Sequence, residues 1–109
     1  MSTVQVPVSD MLVTVKSREV QRGMLAEMSK RNREAAQHFL AAAHLELVLA
    51  DDYQQADDLE QARRSRISAA SCFWRAGERE RATTIFDAVA QEDPEREDEI
   101  HELVGELER

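Results

Sequence analysis

The residues of this 109-residue chain whose types suit chemistry are three histidines, one cysteine and a cluster of arginines. Arg33 and His38 stand five positions apart, an Arg-x4-His spacing. No further motif residue supports the pair, so a turn arginine and a surface or interhelix histidine is the first reading. His38 and His44 lie about 240° apart around a helix and cannot share a metal within it. His101 has Glu97 and Asp98 at helical spacing, but on a strongly acidic, exposed helix. A metal site in a helical bundle needs several inward carboxylates with Glu-x-x-His pairs, and that set is missing, so neither a metal nor another cofactor is expected. Arg63, Arg64 and Arg66 could grip a phosphate or carboxylate through forked hydrogen bonds, although pairing with Asp58, Glu60 or other acidic neighbours on a solvated face is the commoner outcome. Cys72 lies in an alanine-rich segment beside Phe73, where a buried, inert thiol is expected. Neither a glycine-rich phosphate loop nor a nucleophilic triad is present.

These side chains must be carried by helices. With three Gly, two Pro and an abundance of Ala, Leu, Glu, Arg and Gln, the composition points to one all-α domain with a modest core. A single cysteine excludes an intrachain disulfide, and with no leader or apolar span a cytoplasmic location is expected, off the membrane. The net charge of −8 is divided unevenly: residues 1–33 carry six Lys/Arg against three Asp/Glu, and residues 34–109 carry eight against nineteen. An acidic body of this kind argues against nucleic-acid binding.

The apolar pattern places about five helices. Residues 1–16, with STVQVPV at 2–8 and an undecided MLVTV at 11–15, read as an extended or flexible arm, and residues 17–109 as a single helical domain. Val20, Met24, Leu25 and Met28 mark the first helix. A second, at about 32–53, is capped by Asn32 and is apolar on more than one side, as a central helix should be. The third follows a cap at Asp57 or Asp58, turns Leu59, Ala62, Ala69, Ala70 and Phe73 inward, and ends at Gly77. The fourth, at about 79–91, carries Ala82, Ile85, Phe86, Val89 and Ala90. The last, at about 94–108, opens with Pro94 and presents one stripe of Ile100, Leu103, Val104 and Leu107.

Within residues 63–96, the positions of Ala70, Phe73, Gly77, Ala82, Phe86, Val89 and Pro94 resemble the tetratricopeptide repeat, a helix–turn–helix unit of ~34 residues, although Arg66 stands at its usual early tryptophan. Gly23, Ala35, Phe39 and Ala42 hold the same mutual offsets as Ala70, Ala82, Phe86 and Val89, 47 residues earlier. This weaker copy has Ala26 in place of the aromatic and no closing proline, so it resembles an elongated repeat. An ordinary helical bundle explains the same residues. The resemblance implies a groove lined by the first helix of each pair, with Arg64, Ile67, Ser71, Trp74 and Arg75 in one unit and Ser17, Val20, Met24, Glu27 and Met28 in the other. Such a groove suits a peptide or helix with acidic and apolar side chains. The expected function is therefore a non-catalytic, protein-binding adaptor. Two alternatives accompany it: a self-associating bundle that forms a homodimer through the arm or first helix, and an RNA-cleaving domain using Arg33 and His38, whose spacing is similar to the nuclease motif of some small helical toxin-like domains.

Overall fold

Helix formers dominate the chain, so its architecture is decided at the corners. The computed structural model describes residues 8–109, and of Val8 the backbone alone. It contains α1 (Val8–Met28), α2 (Asn32–Gln55), α3 (Leu59–Arg75), α4 (Arg79–Glu92), a short 3-10 turn at Pro94–Arg96, and α5 (Glu97–Glu108), with no strand among the described residues. The fold is all-α, as expected.

One corner geometry is used three times. Lys30, Asp57 and Gly77 adopt left-handed backbone, with φ of 59°, 62° and 88°. Each donates its amide to a carbonyl three residues back, and the next residue reaches five back: Lys30 to Glu27 at 3.0 Å and Arg31 to Ala26 at 2.8 Å, then Asp57 to Gln54 and Asp58 to Tyr53, then Gly77 to Trp74 and Glu78 to Phe73. This double closure satisfies the last carbonyls of a helix. The following residue immediately caps the next helix, in turn Arg31, Asp58 and Glu78. Only Asp58 caps with its side chain, accepting from the Gln61 amide at 3.3 Å. Asn32, expected as a cap, is instead the first residue of α2, one position inside. A lysine in left-handed backbone carries a steric cost that glycine avoids. Lys30→Gly is expected to stabilise the protein by about 1 kcal/mol, which differential scanning calorimetry would read as a rise of roughly 4–8 °C in Tm.

The N-terminal reading needs correction. Residues 8–16 are the first two turns of α1, not part of an arm, while residues 1–7 lie outside the described residues. The β-branched run Val13, Thr14, Val15 suggested extended chain, but Ser9, Leu12, Lys16, Glu19, Val20, Gly23 and Ala26 form a buried or half-buried face at intervals of three and four. Packing of that face on α2 overrides weak local propensity.

Small residues let the helices approach. Ala35, Ala42, Ala43, Ala62, Ala69, Ala70 and Ala82 are buried, and Phe39, Phe73, Leu49 and Val89 are the largest fully buried side chains. Helix α2 packs on both α1 and α3, α3 also packs on α4, and α5 lies against α3 and α4. The result is a slab 17 Å thick, about two helix layers. Leu59, expected on the inner face of α3, is 40% exposed, while Ala62 one turn on is fully buried.

Candidate partner-binding face

The cross-helix packing builds an open crevice of about 580 Å³. Glu27 of α1, Ser71, Trp74 and Arg75 of α3, Arg79 of α4, and Leu103, Glu106 and Leu107 of α5 line it. Four of the residues expected in a groove, Glu27, Ser71, Trp74 and Arg75, thus meet in one place.

Arg75 ties the crevice to the core. Its Nη2 donates to Glu27 Oε1 at 2.6 Å, and its guanidinium carbon lies 4.2 Å from the centroid of the buried Phe39 ring. The planar cation covers an aromatic face while meeting a carboxylate, so it is held in one orientation. Arg79 sits over the Trp74 ring at 4.9 Å. Trp74 is half-buried against the core, and its indole Nε1 is buried with no acceptor among the described residues. The Ser71 hydroxyl donates to the Ile67 carbonyl at 3.1 Å.

The other expected positions separate. Ile67 is only 7% exposed and belongs to the core, which corrects its assignment to a groove. Arg64 lines a smaller crevice of about 170 Å³ with Val13, Lys16 and Glu46, and pairs with Glu60 at 3.5 Å. Met24 and Met28 are exposed on α1, Met28 by 80%. Sequence reasoning missed Arg79, Leu103, Glu106 and Leu107. Leu103 and Leu107 stood in view as an i, i+4 pair, but their position beside α3 depends on how α5 is anchored. Arg96 provides that anchor: it pairs with Glu60 of α3, with Asp93 at 3.2 Å and with Glu99 at 3.2 Å. The hydrogen bond from Arg96 holds the Glu60 carboxyl below the usual carboxylate range.

A buried carboxylate was also missed. Glu46 is 4% exposed, with Lys16 Nζ 3.8 Å away. Burial pushes its pKa up, and Lys16 and Ser68 oppose that rise without cancelling it. The sequence signal was a Glu set among Leu45, Leu47, Val48 and Leu49 in the apolar middle of α2.

Most of the remaining chemical candidates are engaged in structure, and His101 is exposed on α5. His38 Nδ1 lies 2.6 Å from Glu19 and its Nε2 3.9 Å from Glu34, while Arg33 is exposed. His44 stacks edge-on to Phe73 at 5.4 Å. Arg63 meets Glu92 at 3.5 Å and Asp93 at 3.8 Å, and Arg66 meets Gln54 and Glu92, so the arginine cluster is paired with α2 and the end of α4. Cys72 is buried, and desolvation pushes its thiol up to about 11, leaving almost no thiolate at neutral pH. Among the described residues, no group of three or more His, Cys, Asp or Glu is placed to hold a metal ion, and no helix is long and apolar enough to cross a membrane.

The architecture and crevice define a small all-α helical stack with an open face built from four of its helices. Scans of family models, curated proteins and solved structures find no significant match to the chain.

Proposed function

We propose that the protein is a non-catalytic interaction module that holds a protein segment, helical or extended, on the face formed by α1, α3 and α5. The observation that carries this reading is the convergence of Glu27, Ser71, Trp74, Arg75, Leu103 and Leu107 on one open crevice. Its chemistry suits a peptide: Trp74, Leu103 and Leu107 offer apolar contact, and Arg75, Arg79, Glu27 and Glu106 offer both signs of charge. Exposed methionines beside such a crevice add an adaptable apolar margin.

The resemblance to the tetratricopeptide repeat supports the same face, because α1, α3 and α5 are then the first helices of successive pairs. Gly23 against Phe39 in the elongated unit corresponds to Ala70 and Phe86 in the second. A cytoplasmic adaptor role follows from this reading, with a protein rather than a nucleic acid as partner.

A photo-crosslinking residue placed singly at Met28, Leu107 or Val48 tests it. Val48 is exposed on α2 and does not line the crevice. Crosslinking in cells is expected to yield the same protein adduct from positions 28 and 107 and none from position 48. Equal adducts at all three positions, or none at any, would overturn the proposal.

A further inference from the structure

A second crevice, of about 390 Å³, runs between α4 and α5. Phe86, Ala90, Ile100 and Val104 make it apolar, and Asp87 and Glu108 stand on its acidic rim. The order of packing says what shape belongs there. Helix α2 lies across α1 and α3, and α4 lies across α3 and α5, so a helix laid along the α4–α5 crevice would continue the stack by one step.

The opposite edge of the molecule offers such a helix. On α1, Met11, Val15, Arg18, Arg22 and Leu25 follow one another at intervals of four, three, four and three, the spacing of a seam between paired helices. All five are exposed, Met11 and Leu25 by 58% each. A helix with one face already buried on α2 is expected to be polar on its outer side, and an apolar outer seam marks a contact surface. Its two arginines, of which Arg22 also meets Glu19 on the same helix at 3.4 Å, match the acidic rim of the α4–α5 crevice. The wider charge distribution agrees, since the excess of Lys/Arg is confined to residues 1–33.

We propose that copies of this chain associate head to tail, the outer seam of α1 in one copy lying in the α4–α5 crevice of the next. Two different surfaces meet, so the contact is heterologous and repeats from copy to copy until a ring closes or the protein is diluted. Trp74 lines both crevices, but the variants below leave it, Glu27, Ser71, Arg75 and Leu107 unchanged, so failure of this contact would not touch the proposed function.

Sedimentation velocity on the full chain tests the contact with two variants, Arg18→Glu/Leu25→Glu on the seam and Asp87→Arg/Glu108→Arg on the rim. All four positions are exposed, and circular dichroism checks that both variants fold. Wild type is expected to climb in mass past a dimer as concentration rises, and less so at high salt. Each variant alone is expected to remain monomeric. Mixed one to one they are expected to associate again, because the intact rim of one takes the intact seam of the other and the reversed charges of the altered seam and altered rim are also complementary. A wild type that stays monomeric, variants that associate like wild type, or a mixture that stays monomeric would each overturn the proposal.

Discussion

Phe39→Ala lowers the unfolding free energy by about 4 kcal/mol and Tm by on the order of 15–30 °C. The ring is fully buried in α2 and meets both neighbouring helices. On one side lies Gly23 of α1, where an added Cβ would come within 2.9–3.1 Å of three ring carbons. On the other lies the Arg75 guanidinium of α3, 4.2 Å from the ring centroid. Truncation therefore leaves a void where three helices meet and removes the aromatic surface on which Arg75 rests. In a small domain, whose total stability is of order 5–15 kcal/mol, that is a large fraction. The same contact explains a glycine in mid-helix. Gly23→Ala raises helix propensity by about 1 kcal/mol but overpacks the ring by about 1–3 kcal/mol, so it is expected to destabilise on balance. Phe39→Leu should cost less in the Gly23→Ala background than in the wild type, because the smaller side chain relieves the overpacking. Urea denaturation of the two single variants and the double measures the coupling, and simple additivity would count against the contact.

Lys16→Met is the second large effect, a loss of about 2 kcal/mol at neutral pH. The substitution keeps most of the apolar stem but removes the cation 3.8 Å from the buried Glu46 carboxylate. An unpaired buried charge is costly, and here the cost is tied to pH. Burial already raises the Glu46 pKa above its ordinary value of 4.5, so the stability linked to this group is fully present below that value and is lost as pH rises through the folded value. Without Lys16 the folded value rises further. The gap between variant and wild type should thus be widest at neutral pH and narrow as acid protonates Glu46. Other carboxylates, Glu60 among them, respond in the opposite sense, but they are common to both proteins and cancel in the difference. Adding Glu46→Gln to Lys16→Met should restore most of the stability at neutral pH. Denaturation curves between mildly acidic and neutral pH decide the matter, and a gap constant with pH would contradict the account.

Much of the fold was legible, for identifiable reasons. Gly77 and Asp58 carry local corner chemistry, so the third and fourth helices were placed within about two residues of Leu59–Arg75 and Arg79–Glu92. Lys30 shares the left-handed corner geometry of Gly77 but has no compositional mark, which is why the cap was assigned to Asn32 rather than Arg31. Val13, Thr14 and Val15 concealed the first turns of α1, because the force that makes them helical is packing on α2.

The crevice was legible in part. Ser71, Trp74 and Arg75 share a helix, so their proximity follows from spacing. Ile67 shares that helix too, but it is enclosed in the core. Leu103, Glu106 and Leu107 reach the crevice through the anchoring of Arg96 to Glu60, a pairing 36 residues apart that no local pattern reveals. The Lys16–Glu46 pair was hidden for the same reason.

The central claim is that a protein segment binds across α1, α3 and α5. Peptides selected from a random library against the folded protein, titrated into isotopically labelled chain and followed by amide chemical shifts, test it most directly. The account predicts saturable shifts centred on Glu27, Ser71, Arg75, Leu103 and Leu107, abolished by Ser71→Trp, which fills the crevice from its floor. Saturable shifts centred elsewhere, or binding unaffected by Ser71→Trp, would contradict it.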